Sequence, residues 1–174
     1  GFNYFYDNGI ELGDDGNIIF EEISQSDFDN EVLQNILPPL YLDSNGVTIK
    51  CRGDIEVGYI GEVDGVEYTV VDEDTLKQMI RNGDDLSSVC TTKIRSGYRL
   101  FISRPDFNGD ISKWDVSNVY TMDRMFLENF YINQDLSSWN VEKVTNCSWF
   151  HLLHPSGVPV WTLPKPNFTN CDPN

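Results

Sequence analysis

The chain has 174 residues, 40% of them hydrophobic, with 28 acidic side chains against 12 basic ones. That length holds one domain, or one with a small appendage, and supplies a real core. A net charge of −16 excludes non-specific nucleic-acid binding, which needs clustered Lys and Arg, and no run of eighteen apolar residues exists to span a bilayer.

Residues 1–40 read as a separate acidic module. Residues 1–49 hold ten acidic side chains and no Lys or Arg, and the first base is Lys50. So sharp a step in composition, with Pro38-Pro39 beside it, marks a boundary. Phe2, Tyr4, Phe5 and Tyr6 form an uncharged aromatic cluster suited to pairing with a sheet edge of another protein, as a docking element in a larger assembly. Packing on the next segment is the alternative. Strands over 10–12 and 17–22 and a helix over 26–37 complete the reading of this part. The chain opens at Gly1 with no basic-then-apolar leader, which fits a processed chain, a fragment, or a protein that travels without one.

Residues 41–82 read as a cap. Short strands fall over 47–50, 57–62 and 66–71, the last two joined at Asp64-Gly65, a hairpin-turn dipeptide. Asp72 or Asp74 opens a helix that runs to about Arg81, with Leu76, Met79 and Ile80 as its buried stripe and Gly83 as its stop.

Residues 83–157 repeat with a period of 25. Asp110/Asp135, Ile111/Leu136, Trp114/Trp139, Val116/Val141 and Val119/Val144 match at that offset, and a weaker copy runs through Asp85, Leu86, Val89 and Ile94. Three units follow, 83–107, 108–132 and 133–157. Trp114 and Val116 read as an extended piece, and Thr121 as the cap of a helical turn with Met122, Met125 and Phe126 on one apolar face. One unit cannot bury its own apolar face, whereas stacked units bury each other's. The Trp, Met and Phe positions are therefore read as core.

The run from Phe107 to Val119, followed by Met122-x-x-Met-Phe126, resembles the unit of BspA-like leucine-rich-repeat surface proteins. The segment Gly65–Leu76 leading to Cys90-Thr-Thr resembles the N-terminal cap of such arrays, and 161–171 resembles the closing segment of flavobacterial members. The resemblance covers about 45–174. It implies an α+β fold: a short leucine-rich-repeat-like solenoid of about three 25-residue units with a β-hairpin and helix as N-terminal cap, preceded by the acidic module and closed by 158–174. It also implies an extracellular or cell-surface location and attachment to a protein or glycan.

In that setting the four cysteines are expected as disulfides, Cys51–Cys90 and Cys147–Cys171, although four cysteines allow three pairings. A zinc site from Cys147, His151, His154 and Cys171 is the alternative; its residue types suit zinc, and its spacing matches no standard pattern. These are the only two histidines, and no orienting motif accompanies them, so no catalytic residue, metal or cofactor is assigned. Residues 106–117 lack the Gly and Glu of a calcium loop. Arg95, Tyr98, Arg99, Tyr120, Tyr131 and Trp149 are the candidate binding surface, with ordinary repeat surface as the plain reading. The expected function is non-enzymatic recognition or adhesion at a cell surface. The alternatives are a phage virion spike or fibre, with residues 1–40 docked in the particle and the repeats facing the host, and a carbohydrate-binding module.

Overall fold

The computed structural model describes residues 38–102, 104–151 and 160–173. The chain divides into two units, Gly1–Ile36 and Leu37–Asn174, and every described residue lies in the second. The elements read over 10–37 lie outside the described residues, as do Phe2, Tyr4, Phe5 and Tyr6.

Among the described residues, five strands and one helix form the first part, up to Cys90. Strands β1 (Leu40–Leu42) and β2 (Ile49–Cys51) pair antiparallel, with Leu40 opposite Cys51. The boundary drawn at residue 40 therefore falls inside a strand: Leu40 is 3% exposed and belongs to the core that follows it. Strands β3 (Ile60–Val63) and β4 (Val66–Val70) pair antiparallel across Asp64 and Gly65, which stand at φ 53° and 80°. Two successive left-handed residues match the right-handed twist of the flanking strands, and this is why Asp-Gly suits the turn. Strand β5 (Val89–Cys90) joins β4 in parallel, with Thr69 opposite Val89 and Val70 opposite Cys90.

Helix α1 (Glu73–Asn82) lies between β4 and β5. Asp72 caps it by accepting the Thr75 N–H at 2.9 Å, and these hydrogen bonds hold the Asp72 carboxyl below its usual range. Leu76 and Ile80 are its buried residues. Gly83 ends it at φ 80°, its N–H donating to the carbonyls of Met79 and Ile80, while Arg104 Nη1 donates to Ile80 O at 2.6 Å. A Cβ at Gly83 would lie 3.3 Å from that guanidinium. Gly83→Ala is expected to lower stability by about 1–2 kcal/mol, from left-handed strain, as read by urea unfolding. An unchanged midpoint would show that the cap relaxes.

Beyond β5 the chain returns every 25 residues to lie parallel with its previous pass. Ser96 bridges Thr121, Thr121 bridges Asn146, and Phe126 bridges His151, all in parallel. The N–H groups of Gly97, Arg99 and Phe101 donate to the carbonyls of Thr121, Asp123 and Met125, and those of Met122, Arg124 and Phe126 donate to Asn146, Ser148 and Phe150. The backbone polar groups of each pass are thus satisfied by the next one, which meets the requirement for burying such groups.

The local assignments differ from the sequence reading in an instructive way. The segment 121–126 is not helical, because Met122, Arg124 and Phe126 donate to the following pass and Arg124 sits at φ 56°. Trp114 and Trp139 stand in turns rather than extended pieces, their N–H groups donating to Ile111 O and Leu136 O. The ladder runs where a helix was read, and turns occupy the place of the strand.

The interior of this part is an aromatic stack. The Trp114 and Trp139 rings lie 3° from parallel with centroids 6.3 Å apart, and Phe101 stacks on Phe126 at 5.1 Å. Each buried indole donates to a carbonyl of the preceding unit, Trp114 to Leu86 at 3.0 Å and Trp139 to Ile111 at 3.2 Å. Trp161, from the closing segment, repeats the pattern on Gln134 at 2.9 Å. A buried indole without a partner would forfeit stability, so these bonds fix the spacing of one pass on the next. Asp85, Asp110 and Asp135 each accept the N–H of the serine two residues on, at 2.9, 2.9 and 3.0 Å. The recurring acid is a turn former.

Candidate functional site

The ladder sets out its side chains in columns. At positions 25 apart stand Arg95, Tyr120 and Thr145; then Tyr98, Asp123 and Ser148; then Arg99, Arg124 and Trp149. Parallel strands are about 4.8 Å apart, so each column places its members at contact spacing. Tyr98, Tyr120 and Trp149 are each about half exposed, at 46%, 54% and 48%. Tyr131, at 54%, belongs to another column, with Asp106, and is not part of this group. Five of the six sequence candidates therefore share the ladder.

A residue the sequence reading missed joins them. Arg124 stands between Arg99 and Trp149, and the period alone would have found it. All three occupy the same place in the same turn. Leu100, Met125 and Phe150 donate their N–H groups to Gly97, Met122 and Cys147, closing three stacked turns, and in each the third residue has positive φ: 51°, 56° and 56°. Glycine or asparagine fills such a place without strain, whereas a bulky L-residue costs about 1–2 kcal/mol there.

The electrostatics of the columns are one-sided. Arg95 and Arg99 make no ion pair among the described residues, and Arg99 lies over the Tyr98 ring at 5.2 Å. Arg124 reaches back to Asp123 at 2.6 Å, and Asp123 is 6% exposed. At the margin, the Arg95 N–H donates to the Glu73 carboxylate at 2.8 Å.

The cysteines divide into two pairs of different character. Cys147 and Cys171 are joined, with Cα atoms 5.8 Å apart, so the tail is clipped to the rung that carries Trp149. Cys51 and Cys90 are thiols, which corrects the expected second disulfide. Cys90 Sγ also faces the Ile49 carbonyl at 3.9 Å and Thr92 Oγ1 at 3.5 Å. A hydrogen bond from Cys90, another from Thr92 and the charge of Lys93 lower the Cys51 thiol to about 7; that same bond to Cys51, with burial, raises Cys90. The pair lies inside the core, 3% and 0% exposed.

Zinc does not suit the other candidate set, since Cys147 and Cys171 are spent in their bond and His151 packs edge-on against Trp161 at 5.1 Å. His154 lies outside the described residues. Among those described, no group of three His, Cys, Asp or Glu is placed to hold a metal ion, and no helix is long and apolar enough to cross a membrane.

Residues 73–151 match the family model described as "Mycoplasma protein of unknown function, DUF285", a family related to the BspA-type repeat proteins. The match starts at the first residue of α1 and ends on His151, the last bridged residue among those described. Searches of curated proteins and of solved structures returned no match.

Proposed function

We propose that the chain is a non-enzymatic recognition protein displayed at a cell surface, which holds a macromolecular partner on the ladder face of a capped, leucine-rich-repeat-like solenoid. In this reading residues 41–82 cap the array, 83–157 present the face and 158–174 close the far end. One observation carries it: the columns of Arg95 with Tyr120, and of Arg99, Arg124 and Trp149, hold large side chains that the core does not use. Internal packing gives no reason to keep Arg99, Arg124 and Trp149 at positive φ. The DUF285 match over the same residues and the disulfide agree with a surface protein that matures in an oxidising compartment.

The test is retention on fixed epithelial cells and on extracellular matrix, comparing the full chain with Tyr120→Ala/Trp149→Ala. A loss of at least tenfold in the double variant, at unchanged melting temperature, is the expected result. Equal retention of the two proteins would retire the ladder as the recognition face. A glycan-array signal that depends on the same two residues would make the domain a carbohydrate-binding module instead.

A further inference from the structure

The bases of this part of the chain are used unequally. Lys93, Lys113 and Lys143 each donate to a protein group, the Gly53 carbonyl, the Tyr68 hydroxyl and the Asn118 amide oxygen. Of the ladder arginines, Arg124 is held by Asp123, whereas Arg95 and Arg99 are free of ion pairs among the described residues. Residues 83–157 hold nine acids and seven bases, so this region is near neutral on a chain of −16. The only carboxylate in the columns, Asp123, is buried against Arg124, and Glu73 stands at the margin on the Arg95 N–H, so the columns themselves offer guanidinium donors and aromatic rings with no exposed acid among them.

Arginine differs from lysine in presenting a rigid fork that matches a carboxylate in two parallel hydrogen bonds. Tyr, Trp and Arg are also the residues that carry most of the binding energy at protein interfaces. The backbone adds an independent sign. Three successive turns place Arg99, Arg124 and Trp149 at positive φ, where strain is tolerated for the sake of the side chain; strained residues of this kind gather at ligand clamps.

We infer that the ladder face takes an acidic, aromatic-bearing stretch of a partner protein. Arg95 and Arg99 fork its carboxylates, and Tyr98, Tyr120 and Trp149 pack against the side chains between them. This rests on the recognition reading above and adds the chemistry of the partner.

The probe is an immobilised random copolymer of glutamate and tyrosine, with immobilised heparin in parallel, and the analyte is the full chain. Physiological salt screens the acidic remainder of the chain over about 8 Å. The copolymer is expected to bind, and Arg95→Gln/Arg99→Gln to weaken it at least tenfold. Arg99→Gly, which relieves the left-handed strain, is expected to weaken binding while keeping or raising the melting temperature, and this separates a lost contact from a lost fold. No binding of the copolymer, or equal binding by the variants, overturns the inference. Heparin binding that needs the same arginines, without copolymer binding, also overturns it and assigns the face to anionic glycans. If cell retention still depends on Tyr120 and Trp149 while the copolymer fails, the recognition reading stands and the acidic partner does not.

Discussion

Replacing Trp139 by alanine is expected to lower the unfolding free energy by about 3–5 kcal/mol, the usual cost of removing a fully packed indole. Trp139 is 3% exposed and lies face to face with Trp114, so its loss opens a cavity between two passes of the chain. The loss is not only one of volume. Its Nε1 donates to Ile111 O at 3.2 Å, and without it that carbonyl faces the cavity with no indole donor. Trp139→Phe separates the two effects: it restores much of the volume but not the donor, and should cost about 0.5–1.5 kcal/mol, the net worth of one hydrogen bond, because the Trp114 N–H still donates to Ile111 O. Urea unfolding of the three proteins gives the comparison. A cost below about 1 kcal/mol for Trp139→Ala would mean that the passes are held by the ladder alone.

How far the sequence foretold this arrangement depends on which residues are asked. The pairs Trp114/Trp139 and Asp110/Asp135 displayed the period directly, because the same buried indole and the same turn-forming acid are needed in each pass. The place of the ladder was illegible for a specific reason. Met122, Met125 and Phe126 fall at i, i+3 and i+4, the spacing of a helix face, yet they point inward from a turn followed by a bridged residue. A turn with a left-handed residue can bury that spacing as well as a helix does. Glycine or asparagine at its third place would have revealed it; Arg99, Arg124 and Trp149 concealed it.

The closing segment was legible by resemblance, but the part Trp161 plays in it was hidden differently. Trp161 lies 22 residues after Trp139, not 25, so period matching passes over it, although its indole repeats the same bond on the preceding unit. Strand β1 was hidden by the composition step, which tracks charge and not pairing. Of the candidate site, the aromatic members were legible as exposed residues without a core role. Their assembly into columns was not, since that required the ladder to be placed first.

Removing the disulfide as Cys147→Ser/Cys171→Ser is expected to cost about 3–4 kcal/mol, chiefly by freeing a loop of this length in the unfolded chain. The double variant is the right one, because a single substitution leaves a thiol against the aromatic interior. The other ties near this point are modest: Asn170 Nδ2 donates to Glu142 O at 2.7 Å, the Phe150 N–H donates to Pro173 O at 3.2 Å, and Phe168 meets Phe150 edge-on at 5.0 Å. Limited proteolysis should therefore release the tail from the variant before the rest unfolds. Reductant supplies the control that also reads the second pair. With Cys51 and Cys90 as thiols, a reducing agent lowers the stability of the native chain to that of the variant and leaves the variant unchanged, and intact mass rises by two hydrogens. A further fall in the variant, or a gain of four hydrogens in the native chain, would show Cys51 and Cys90 joined. Such a bond would tie β2 to β5 and fasten the two sheets of the first part together. If the variant is as stable as the native chain, the aromatic contacts hold the tail, and the rung that carries Trp149 does not depend on the clip.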